Sequence, residues 1–80
     1  MRERRIMNVV GPRIRHFRME RGWSQPAMVA KCQLSGWDVS RESLAKIESR
    51  LRSVTDVEVL KLAKILDVPF ASLFPKSPAR

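Results

Sequence analysis

Ser24, Ser40 and Thr55 each stand directly before a run of apolar residues at helical spacing, which cuts the chain into helices of only a few turns. A side-chain oxygen in that position accepts from a free backbone N–H of the first turn, so Ser and Thr collect at helix starts. Thr55-Asp56-Val57-Glu58 adds the reciprocal contact of a capping box. The stops are equally legible: Gly22 suits the left-handed residue that ends a helix, and Asp67 tolerates it. Behind Pro12, which fits a first helical turn, Val10, Ile14 and Phe17 recur at i, i+4 and i+7. The pattern predicts helices over 12–21, 25–33, 41–50 and 56–66, and a short fifth helix from Pro69 to Phe74. Residues 34–39, with Gly36 and Asp38, read as a connection. The expected fold class is all-α with five helices. The expected organisation is a basic N-terminal arm over 1–11, one domain over 12–74, and a flexible tail over 75–80.

Eighty residues make one domain with a modest core. Sixteen basic against eight acidic residues give a net charge of +8, which favours polyanionic partners and says little about fold. The charge is uneven. Residues 1–31 hold eight basic and two acidic side chains, a net of +6, and residues 32–80 hold eight and six, a net of +2. Cys32 is the only cysteine, which rules out an intrachain disulfide and fits a reducing, cytoplasmic setting. No apolar run approaches the ~20 residues of a membrane span. Asn8 interrupts the short apolar stretch from Ile6 to Val10, so the N-terminus does not read as a secretory signal, and Met7 is an alternative start. One His and one Cys without metal-ligand spacing, and no glycine-rich phosphate loop, argue against an enzyme. No metal and no cofactor are expected.

Four strings carry a resemblance: Arg13-Ile14-Arg15-His16-Phe17-Arg18, Gly22-Trp23-Ser24-Gln25, Leu44-Ala45-Lys46-Ile47-Glu48, and Leu62-Ala63-Lys64-Ile65-Leu66-Asp67-Val68-Pro69. In this order and spacing the chain resembles the phage-repressor/Cro-like, or Xre-type, helix-turn-helix family, over about 12–74. It departs from the family pattern in three places. The turn between the second and third helices is longer by about five residues around Ser35 to Asp38. Met28-Val29 replaces the usual leucine-alanine, and Arg50 stands near the usual glycine after the third helix. The resemblance implies a DNA-binding regulator of prokaryotic or phage origin, working as a homodimer on half-sites one helical turn apart (~34–36 Å).

On the third helix Leu44 and Ile47 face inward, leaving Glu42, Ala45, Lys46 and Ser49 outward. The resemblance implies base reading by Arg41, Glu42 and Lys46. Arg41 can pair bidentately with guanine O6 and N7, Glu42 can accept from cytosine N4, and Lys46 can reach guanine or phosphate. The alternative is that Glu42 and Lys46 simply form an exposed i, i+4 pair. Ser24 and Gln25 open the second helix, where free N–H groups favour an anion, and the resemblance implies that Gln25 grips a phosphate. The plain alternative is a cap with Gln25 solvated. Ser40, Ser43, Arg50, Arg52 and, more weakly, Arg13 complete the expected phosphate set.

Arg18 lies one turn after Ile14 on the core-facing edge of its helix, and half-buried charges need partners. The family pairs the corresponding residues, which implies an Arg18–Glu48 salt bridge tying the first helix to the third. Arg2, Arg4 and Arg5 can follow phosphates or remain solvated. Trp23, Trp37 and Cys32 are expected to pack in the core, and His16 to face solvent.

The leading expectation is sequence-specific double-stranded DNA binding by a transcriptional repressor that occludes its operator. The dimer surface is expected on the fourth and fifth helices or at Leu73 and Phe74. A second reading is an antitoxin-like or adaptor protein that captures a protein partner through the Trp37 turn. A third, membrane-surface binding, requires one long amphipathic face that the chain lacks.

Overall fold

The computed structural model describes residues 8–75. Within them the chain forms α1 (Gly11–Glu20), α2 (Gln25–Leu34), α3 (Arg41–Glu48), α4 (Asp56–Leu66) and a terminal 3-10 turn (Phe70–Leu73). The described residues contain no strand. The fold is the all-helical one expected, with the fifth helix reduced to a single 3-10 turn. Pro69 starts that turn and Phe74 is already extended, which leaves four residues, a length at which the tighter 3-10 winding is common.

Each start and stop has a local cause. Ser24, Ser40 and Thr55 accept from the backbone N–H of Ala27, Ser43 and Glu58, and Glu58 returns the contact to Thr55 N. All four helices end in the same way. A residue folds into the left-handed region, just after the cap in α1, α2 and α3 and at the cap itself in α4, and the next N–H reaches back to a carbonyl of the last turn. Those closing bonds are Trp23 N to Arg18 O, Trp37 N to Cys32 O, Leu51 N to Lys46 O and Val68 N to Ala63 O. Gly22 and Gly36 occupy the left-handed position after α1 and α2, whereas Arg50 (φ 65°) and Asp67 (φ 59°) occupy it after α3 and α4. The early turn at Arg50 is why α3 stops at Glu48 and does not run to 50 as expected.

Every element feeds one core. Ile14 of α1, Met28 and Cys32 of α2, Leu44 and Ile47 of α3, Leu62 and Leu66 of α4, and Leu73 of the terminal turn are fully buried. Full burial contributes roughly 1.5–3 kcal/mol for each such large aliphatic side chain. Trp23 and Trp37 are half-buried and pack against this cluster. Leu73, expected on the dimer surface, has no exposed surface and belongs instead to the monomer core. Phe74 keeps 37% of its surface.

Residues 8–11 also differ from expectation. Asn8, Val10 and Gly11 are buried, so the end of the expected basic arm packs into the domain. Arg2, Arg4 and Arg5, together with the 76–80 part of the expected tail, lie outside the described residues. No helix among the described residues is long and apolar enough to cross a membrane.

Candidate nucleic-acid interface

α3 packs against both α1 and α2, and its two ends meet different surroundings. Its first turn is open. The Ser40 hydroxyl accepts from Ser43 N at 3.0 Å, and Arg41 and Glu42 are exposed. Arg41 has no hydrogen bond or ion pair among the described residues. One turn on, Lys46 Nζ lies 3.6 Å from a Glu42 carboxylate oxygen, with the two side chains 52% and 80% exposed. An exposed pair of this kind is worth only about 0.3–0.5 kcal/mol, little enough for a ligand to displace.

The last turn is closed. Glu48 is buried and takes three donors. Arg18 Nε approaches Oε2 at 2.6 Å, Arg18 Nη2 approaches Oε1 at 3.0 Å, and Gln25 Nε2 approaches Oε1 at 3.1 Å. A third guanidinium N–H, on Nη1, goes to Trp23 O at 2.7 Å. One buried carboxylate therefore joins α1, the start of α2 and α3. A bidentate guanidinium–carboxylate pair fixes orientation as well as distance. Gln25 is consequently not a freely solvated side chain. Its amide is held by Glu48 at the start of α2, beside the cap in which Ser24 Oγ accepts from Ala27 N at 3.1 Å.

The other expected phosphate ligands have partners of their own. Arg13 Nε donates to Ser72 O at 3.2 Å, and its guanidinium lies 4.9 Å from the centre of the Phe17 ring. Arg50 Nε donates to Asn8 O at 2.7 Å. Arg52 makes a two-point contact with Glu58, at 3.1 and 2.9 Å, in the capping box of α4. The Arg52 guanidinium, acting as donor, is the main reason the Glu58 carboxyl titrates below its ordinary value. Ser24, Ser40 and Ser43 stay at the two helix starts, beside the exposed face of α3.

Two residues escaped the sequence reading. Arg15 lines an open hollow with Gln25, Ala45, Glu48 and Ser49, which puts a cation of α1 beside the exposed edge of α3. Its position three residues before Arg18 was the available signal, since such residues share a helix face. Asn8 is the other. Its carboxamide Nδ2 donates to Ile47 O at 2.8 Å and Arg52 O at 3.0 Å, while Oδ1 accepts from Val10 N and Gly11 N. Its partners lie 39 and 44 residues away, beyond the reach of any local pattern.

Elsewhere the bulky and reactive groups are packed or paired. Lys31 Nζ sits 4.5 Å from the Trp23 ring centre and Lys61 Nζ 5.7 Å from that of Trp37. His16 is exposed and lies 3.4 Å from a Glu20 carboxylate oxygen. Burial raises the Cys32 thiol to about 11, which keeps it protonated and unreactive near neutral pH.

A capped, exposed helix start, with the helix held by a buried ion pair to α1 and a hydrogen bond to the start of α2, is the arrangement of a helix-turn-helix domain. The helix-turn-helix family model matches residues 14–73, and the chain belongs to that family, the Xre or lambda-repressor-like DNA-binding regulators. It is a family of regulators and not of enzymes. Among solved structures the chain is similar to the restriction-modification controller protein C.AhdI from Aeromonas hydrophila. The two are 35% identical and superpose with a TM-score of 0.68 over 81% of this chain and 91% of that one. No curated protein matches the chain.

Proposed function

We propose that this protein is a sequence-specific double-stranded DNA-binding transcription regulator that inserts α3 into the major groove. The observation that carries the reading is the contrast within α3. Glu48 is buried in a three-donor network, while Arg41, Glu42 and Lys46 remain exposed on the same rigid helix. Arg41 supplies bidentate guanine recognition, with Lys46 and Glu42 reading beside it. Backbone phosphates lie against the starts of α2 and α3, at Ser24, Gln25, Ser40 and Ser43, with Arg15 flanking them. Arg13, Arg50 and Arg52 are weaker phosphate ligands, because each must give up or share an internal contact. Regulation is by occlusion of a promoter, and the likeness to C.AhdI makes the control of restriction-modification genes the first role to examine.

The protein acts as a homodimer. Val57 and Leu60 on α4, and Phe70 and Phe74 at the terminal turn, leave 55%, 50%, 41% and 37% of their surfaces exposed, an apolar set suited to a second copy. Capture of a protein partner through Trp37 is less well supported, because that ring packs against the core beneath Lys61.

The test is affinity for a duplex selected from random sequence, and for a scrambled duplex, across a salt series. The proposal expects the selected site to bind ~10³-fold or more above the scramble. Equal affinity for both, with one steep salt slope, would show phosphate binding without sequence reading.

A further inference from the structure

We propose that Asn8 is a positioning residue for DNA reading: its buried carboxamide clamps the C-terminal end of α3 and so sets the angle at which Arg41 meets the groove. The inference rests on the assignment of α3 as the reading helix. Asn8 precedes α1 and is 3% exposed. Its Oδ1 accepts from Val10 N at 3.1 Å and Gly11 N at 2.9 Å, which caps the turn leading into α1, where the N-cap residue Val10 has no side-chain cap of its own. Capping needs only an oxygen, and Asp, Ser or Thr would serve. The amide nitrogen has a separate task. It donates to Ile47 O and Arg52 O, one carbonyl in the last turn of α3 and one in the loop that follows. Two carbonyl partners fix which end of the carboxamide is nitrogen. Residues with no amide could cap α1 but could not hold α3.

Two further features converge on the same point. A Cβ on Gly11 would stand 2.2 Å from Ile47 O, so only glycine allows α1 to start this close to the end of α3. Arg50 accepts a left-handed backbone, φ 65°, and from there its Nε returns a 2.7 Å bond to Asn8 O. The clamp therefore runs both ways between the chain before α1 and the chain after α3. Eight helical residues span roughly 12 Å, so a tilt of about 5° at the clamped end moves the other end by about 1 Å. Misplacement of that size is enough to spoil a recognition site.

The experiment measures thermal stability and the selected-to-scrambled affinity ratio. The proteins are the wild type, Arg41→Ala, Asn8→Asp, Arg50→Gly and Val59→Ala, the last removing a core contact on α4 and none of the clamp's hydrogen bonds. The wild type must discriminate and Arg41→Ala must relax a base position; failure there overturns the reading-helix assignment and the clamp with it. Asn8→Asp keeps the cap and loses the two donors, and its ratio is expected to fall about tenfold, within the ~10²-fold that a misplacement of about 1 Å can cost. Val59→Ala is expected to melt earlier with its ratio kept. Arg50→Gly relieves the left-handed backbone, so it is expected to fold as well as the wild type and still lose discrimination. Loss of a phosphate contact alone would weaken both duplexes alike and reduce the salt slope by about 0.9, leaving the ratio unchanged. If Asn8→Asp and Arg50→Gly both keep the wild-type ratio, Asn8 is a cap only and the proposal is overturned. If Asn8→Asp does not fold, the ratio of Arg50→Gly decides in the same two directions.

Discussion

The two ends of α3 are built on opposite principles. At the C-terminal end, Ile47 and Glu48 are buried, the polar groups of Asn8, Arg18 and Gln25 converge on them, and Arg50 just beyond donates back to Asn8 O. At the N-terminal end a single serine caps the helix, and Arg41 and Glu42 project from it unburied. One end spends its contacts on rigidity and the other withholds them for a ligand. The fixed end is what gives the free end a defined direction, since an exposed arginine on a mobile helix would meet DNA in many orientations.

The sharpest way to break this arrangement is to remove Glu48. Glu48→Ala leaves the Arg18 guanidinium buried beside no carboxylate, and loss of one partner from such a pair costs about 3–5 kcal/mol. Denaturant unfolding should register most of it. Gly11→Ala strikes the same end by steric means. Its Cβ would collide with Ile47 O, and forced repacking of that kind costs about 1–3 kcal/mol. A melting curve that matched the wild type would contradict the close approach of α1 to α3.

At the free end the expectation reverses. Arg41→Ala should leave stability within about 0.5 kcal/mol, as for other exposed positions. It should nevertheless cost about 1–3 kcal/mol of discrimination at one base pair. Ser40→Ala removes the cap and should cost about 1 kcal/mol of stability, the usual value for that loss.

The smallest effect concerns pH. Arg52 holds the Glu58 carboxyl below its ordinary value of 4.5, so the unfolded chain binds that proton more readily than the folded one. The resulting stability is present above pH 4.5 and is lost as pH falls through the lower folded value. Glu58→Gln should flatten the acid limb of a stability–pH curve and leave the rest unchanged.

The free end was largely legible in the sequence, because it is made of local signals. Ser40 before a helical run and the outward phase of Glu42, Lys46 and Ser49 follow from spacing alone. The helix starts at Ser24 and Thr55 and the stop at Gly22 were legible for the same reason. The fixed end was not. Arg18 and Glu48 were paired through family resemblance, whereas Asn8 looked like a polar break in an apolar stretch and was placed in a basic arm. Its bonds reach Ile47 and Arg52, and no helical or turn period connects such distant positions. The backbone of Arg50 was hidden for a related reason. The residue stands near the family's usual glycine, but its type gives no sign that it takes the left-handed backbone, φ 65°, which ends α3 at Glu48. Arg52 read as a phosphate ligand from its charge and its place in the loop after the third helix, and that loop brings it onto Glu58.

The measurement that bears most directly on the central claim is selection of random duplexes by the wild type and by Arg41→Ala under identical salt. The account predicts one enriched site for the wild type, and for the variant the same site with a single base-pair position per half-site relaxed. Identical sequence profiles from the two proteins would contradict the reading role of Arg41, and the absence of any enriched site would contradict sequence reading by α3 altogether.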